Sequence, residues 1–187
     1  MIFEDTLCEI KDAVMGTGYF NNFFEYAEMT NLKTDKGTLS YPRAYVGNGQ
    51  YENLYDFDSN TGYVRKTGPV NIKELPDITN SCTTTNLVLT YPLRLVAAVK
   101  KELLEDNAYS DDKLIYELIE VLQGKLTISN TMKVKAEVDR YETDRNKVWS
   151  EEVHGLEEII RIELSYIYID FDLIINVKKD CLIADCY

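Results

Sequence analysis

The chain is short of histidine and tryptophan, with one of each, and it has only four cysteines, four prolines and 20 Lys and Arg against 32 Asp and Glu. The lone His154 leaves a Ser/His/Asp or Cys/His relay with a single candidate base, and the nearby Glu151, Glu152 and Glu157 read as a solvated turn or helix start rather than an orienting partner. Cys8, Cys82, Cys181 and Cys186 are too sparse for a disulfide scaffold. Structural zinc needs four ligands, and beside the pair Cys181 and Cys186 no second closely spaced pair exists. Those two thiols read as buried or incidental. No stretch approaches the roughly 18 apolar residues of a membrane span. The most apolar segment, 159–177, is broken by Arg161, Glu163, Asp170 and Asp172. No basic n-region or apolar stretch opens the chain, and a reducing cytoplasm is the expected compartment.

The shortage of bases sets the net charge at −12. Residues 1–95 carry 12 acids and 8 bases and residues 96–187 carry 20 acids and 12 bases, so neither half is basic. Gripping a polyanion needs clustered Lys and Arg, which excludes a phosphate-neutralising nucleic-acid binder but not passive contact with DNA. No Gly-rich phosphate loop occurs. No cofactor is expected.

What is present is enough apolar residue, 45%, to fill the core of one domain at 187 residues. Phe3, Leu7, Ile10 and Val14 recur at helical spacing before Gly16. The aromatic run 19–26 favours a strand, residues 31–38 a turn, and 39–46 a second strand that Pro42 confines to an edge or its first residues. Residues 47–62 read as a long irregular loop. Strands follow at 63–72 and from 81 to 91, where Pro92 interrupts the pairing. The strongest helix runs from Ser110, with Asp111 and Asp112 at its positive end, through Leu114, Leu118 and Leu122 to Gly124. Alternation at Val134, Ala136 and Val138 predicts a strand that continues as a hairpin arm within 133–150, turning near 144–146. In the last strand Ile160, Ile162 and Leu164 share one phase and Ile167, Ile169, Phe171 and Leu173 the other, which predicts a bulge or a change of sheet near 165–166. The whole reads as a single α+β domain, mainly antiparallel sheet, with a short N-terminal helix and a central amphipathic helix.

Three motifs carry chemistry in outline. Residues 56–62, beginning Asp56-Phe57-Asp58, resemble the start of a calcium loop, but Thr61 stands where the turn glycine belongs and Thr67 where the bidentate acid belongs. Asp170 and Asp172 have the spacing of a general acid–base pair, which is also the spacing of any strand's wet face. Neither supports an enzyme. The third is tyrosine, which occurs 14 times. An apolar ring with a polar tip suits surfaces that are wet in a monomer and buried in a complex. Tyr45, Tyr51, Tyr55, Phe57 and Tyr63 around the loop, with Tyr141 and Trp149 from the arm, are the candidate subunit interface.

The order of these features, with Tyr41-Pro42-Arg43-Ala44-Tyr45-Val46, the strand from Asn86 through Pro92 to Leu95, the Leu-rich helix and the closing strands around Trp149 and 167–172, resembles the tail-terminator and head–tail neck proteins of tailed bacteriophages. The resemblance implies a non-enzymatic structural subunit of a homo-oligomeric ring. It would contact portal, neck or tail-tube proteins around a channel for DNA, and reside in the virion after assembly in the bacterial host cytoplasm. Closed rings need two different patches on each subunit. The competing expectation is a small protein-binding or regulatory domain, cytoplasmic, that uses the Tyr-rich loop for one partner.

Overall fold

Leu7, Ile10 and Val14 form the buried stripe of helix α1 (Ile2–Met15), which closes at Gly16 with an N–H to Asp12 carbonyl bond of 3.0 Å. The protein is seen as a computed structural model that describes residues 2–35, 37–54, 60–77, 84–100, 102, 110–124, 132–153 and 164–178. Within these, α1 is followed by strands β1 (Asn22–Thr34), β2 (Gly37–Gly47), β3 (Gln50–Asn53), β4 (Thr61–Lys66), β5 (Asn71–Asp77) and β6 (Thr84–Lys100). Helix α2 (Ser110–Gly124), strand β7 (Met132–Glu142), helix α3 (Arg145–Glu152) and strand β8 (Leu164–Lys178) complete the order. This is an α+β fold.

The strands form one mixed sheet in the order β3-β2-β1-β4-β6-β8-β7, with β5 also on β6. Among the described strands only β1 and β4 run parallel. Proline placement follows from hydrogen-bond phase. Pro92 pairs with Asp172 on β8 without a break, and its carbonyl accepts from Thr67 N–H at 3.0 Å on the other side. Its missing N–H therefore falls in the gap where β4 ends and β5 begins, and β6 passes through straight. Pro42 behaves likewise: its carbonyl accepts from Leu54 N–H at 2.8 Å, so its donor-less nitrogen faces the end of β3. It lies inside the sheet, between β1 and β3, and not on an edge as expected.

Both faces of the sheet are covered. On the first, α1 and α2 pack on Phe23, Val64, Leu93, Leu95, Ile167 and Phe171. On the second, Val148 and Trp149 of α3, with Val153 just after it, meet Tyr63, Val96, Leu164, Tyr166 and Tyr168. This explains the phase change expected to mark a bulge at 165–166. Ile160 and Ile162 lie outside the described residues; β8 pairs with β6 in unbroken register from Leu164 to Lys178, with Leu164, Tyr166 and Tyr168 in one core and Ile167, Ile169, Phe171 and Leu173 in the other. Register irregularities lie elsewhere, between Phe24 and Ala27 in β1, between Tyr45 and Gly47 in β2, and between Val138 and Arg140 in β7.

The expected arm at 133–150 is corrected too. β7 is an edge strand on β8, and Asp144 caps α3 by accepting from Asn146 N–H at 3.0 Å. The projecting hairpin is β1–β2 instead. Beyond Ala27, β1 pairs only with β2, and the expected turn 31–38 is mostly strand.

Candidate functional site

Three tyrosines at the two ends of the sheet define the candidate site, and a charge cluster lies between them. The cluster begins with Arg94, set in the otherwise apolar stretch Leu93–Val99 of β6. Its Nε and Nη2 donate to Asp170 at 2.6 and 2.8 Å, and its Nη1 donates to Glu151 at 2.7 Å and Glu152 at 3.0 Å. The guanidinium lies 3.6 Å from the centre of the Tyr168 ring. Arg65 of β4 donates to both oxygens of Glu152 at 2.7 and 2.5 Å, Tyr63 Oη donates to the same carboxylate at 2.9 Å, and Arg140 donates to Asp170 at 2.8 Å. Three guanidiniums thus meet three carboxylates. Glu152, expected in a solvated turn, is only 3% exposed.

This geometry sets Asp170 and Asp172 apart. Burial acts to raise the Asp170 pKa, but hydrogen bonds from Arg94 and Arg140 outweigh it and hold the carboxyl below its usual range. Asp172 moves the opposite way, through burial and the like charges of Asp139 and Glu137. Both border an open depression of about 820 Å³. Asp170 is held as a counter-ion to Arg94 and Arg140, and Asp172 is the more readily protonated of the two carboxyls. Burial and the adjacent Glu152 likewise push Tyr63 far above the phenol range.

The calcium-like segment is used structurally where it is described. Asn60 Oδ1 accepts from Lys100 N–H at 2.8 Å, and its carbonyl accepts from Asn21 and Asn22 N–H at 2.9 and 3.2 Å. It ties the starts of β1 and β4 to the end of β6. Asp56, Phe57, Asp58 and Tyr55 lie outside the described residues, as do His154, Cys82, Cys181 and Cys186. Among the described residues no cluster of metal-binding side chains occurs.

The candidate interface residues divide sharply. Tyr63 and Trp149 are core residues, 1% and 2% exposed, the indole edge-on to Tyr166 at 5.5 Å, so neither is offered to a partner. Tyr45, Tyr51 and Tyr141 are 59%, 47% and 54% exposed. Tyr45 and Tyr51 face one another across β2 and β3 with rings 5.4 Å apart, and the Arg43 guanidinium sits 4.2 Å from the centre of the Tyr51 ring. Tyr141 pairs with Ile169 on β7, at the opposite end of the sheet. Because Ile169 belongs to the core under α1 and α2, and Tyr45 borders a groove with α1, all three tyrosines lie on the same face.

The strand that carries Tyr51 was hidden in the loop expected at 47–62. Asn48 and Gly49 both have positive φ, 52° and 75°, and close a two-residue hairpin between Gly47 and Gln50. Asn-Gly is the preferred pair for such a turn and was the available signal. No family model matches the chain, and no curated protein matches it.

Proposed function

We propose that the protein is a non-enzymatic structural subunit of a phage head–tail neck or tail-terminator ring, joining virion components around a DNA channel. The observation that carries this reading is the pair of sheet edges, β3 and β7, which no other strand covers among the described residues, with exposed tyrosine on one face at both ends. Two different patches at opposite ends of a subunit meet head to tail, which is the arrangement a cyclic ring requires. Exposed Tyr with an adjacent Arg is also the composition enriched where interfaces bind tightly.

Further support comes from charge and from the projecting hairpin. A net charge of −12 disfavours retention of DNA, so a conduit built from such subunits lets DNA pass. Met29 and Leu32 are exposed on the hairpin formed by β1 and β2, which offers a second reach toward a neighbour.

Size-exclusion chromatography with light scattering, followed by electron microscopy of the heaviest fraction, tests the reading. The expected result is a discrete annular multimer that does not shift DNA in a gel. A monomer at every concentration that captures one partner protein would favour a small binding domain instead.

A further inference from the structure

We infer that copies of this chain join by antiparallel pairing of β3 in one subunit with β7 in the next, in the register that sets Glu52 opposite Lys135. This rests on the ring reading above and specifies its contact.

Direction, phase, sidedness and charge agree on that pairing, and they also allow the register with Glu52 opposite Lys133; the Lys135 register is favoured because it sets Tyr51 opposite the small Ala136 and not Val134. Following the pairings across the sheet, β3 and β7 run in opposite directions, so rotation about an axis along the strands brings them together antiparallel. The phase follows from two backbone bonds. Leu54 N–H to Pro42 carbonyl fixes which β2 residues face β3, so Ala44 bonds with Glu52 and the backbone groups of Tyr51 and Asn53 point outward. Thr67 N–H to Pro92 carbonyl fixes the phase of β6, hence of β8, hence of β7: Lys135 and Glu137 face inward, and Val134, Ala136 and Val138 point outward. Tyr51 can therefore exchange backbone bonds with Ala136 of a neighbour, and Asn53 with Val134.

Sidedness agrees as well. Residues directly opposite in a ladder share a face. Val134 and Ala136 belong to the core under α1 and α2, the face that also carries Tyr51, so the tyrosine meets a small residue on its own side. Glu52 shares a face with Ala44, which belongs to the core under α3, and Lys135 points to that same face beside Glu137. A negative residue thus falls opposite a positive one. Among the described residues Glu52 has no ion-pair partner, and Lys135 is 68% exposed with only the exposed Glu137.

The alternative edges are less suited. β5 turns Pro76 outward, because Leu75 faces Asn86 on β6, and an outward proline removes the donor a new strand would need. A shift of two residues toward the irregularity in β7 would set Glu52 against Glu137. A four-residue ladder buries less than the ~1,200 Å² of a stable pair, so closure of the ring, which gives every subunit two such contacts, supplies the remainder.

The test is a charge-reversal cycle on the full chain, read as the concentration at half-assembly by light scattering, with circular dichroism to verify folding. Glu52→Lys and Lys135→Glu should each raise that concentration about three- to tenfold, and the double variant should restore it. Tyr51→Pro should give a folded monomer, because the N–H it removes points away from β2. Rings that form equally well in every variant, or singles rescued by reversal at Lys133 in place of Lys135, overturn this contact and leave the ring reading standing. A wild-type chain that is monomeric throughout overturns both.

Discussion

Glu152 shows how a single residue can organise the second face of the sheet. It accepts from Arg65, Arg94 and Tyr63 together, so its removal takes the carboxylate from the part-buried Arg65 and the buried Tyr63 hydroxyl, while Arg94 keeps Asp170 and Glu151. Glu152→Ala should cost about 3–5 kcal/mol in a urea titration, the usual penalty for breaking a buried pair. Its burial was not legible in 151–157, where the closely spaced acids Glu151, Glu152 and Glu157 look like a wet surface. The readable signal was Arg94 between Leu93 and Leu95, since a guanidinium within an apolar strand requires a buried acid. Gly62 is similarly fixed by its surroundings, as a Cβ there would lie 2.7 Å from Cδ2 of the buried Phe23. Gly62→Ala is expected to destabilise by about 1–3 kcal/mol. Asp170 sets an acid dependence. Its folded pKa is depressed, so its contribution is present above the unfolded pKa, about 3.9, and is lost as pH falls through the folded value. Asp170→Asn should flatten the slope of stability against pH below the unfolded pKa of about 3.9, measured by denaturant unfolding at each pH.

At the scale of elements, α1 and α2 were legible because apolar periodicity specifies them directly, whereas the long strands were read only in part, with a turn expected at 31–38 and a break at Pro92 where the chain continues as strand. The Ser110–Gly124 helix matches the bounds given by its acidic start and terminal glycine. What failed did so for identifiable reasons. β3 carries Gln50, Tyr51, Glu52 and Asn53, all exposed, so no alternation marks it as a strand and only the turn before it does. α3 was read as a hairpin turn because Asp and Asn serve turns and N-caps equally. In the structure Glu142 accepts from the N–H groups of Thr143 and Asp144 and pairs with Lys147 at 2.5 Å, which commits the chain to a helix. Gly49→Val is the sharpest test of the hairpin: a β-branched residue at φ 75° is strained, and β3 should lose its ordered pairing. Circular dichroism should show the rest of the fold intact, while assembly disappears.

For the whole molecule, charge and edge geometry act against each other. Subunits of charge −12 repel at low ionic strength, and screening shortens that repulsion to about 8 Å at physiological salt. Assembly should therefore strengthen on moving from a few millimolar salt to the physiological range, even though the Glu52–Lys135 contact weakens slightly. The tyrosine count suggested an interface but could not distinguish Tyr63, which is core, from Tyr45, Tyr51 and Tyr141, which are exposed toward the two ends of the sheet. That distinction depends on which strand neighbours which, and sequence periodicity carries no information about neighbours. The central claim is a closed head-to-tail ring built from two unlike edges, and native mass spectrometry of the wild-type chain tests it most directly. A single discrete species of three or more copies is predicted. A dimeric endpoint, or a monomer at all concentrations, would contradict it.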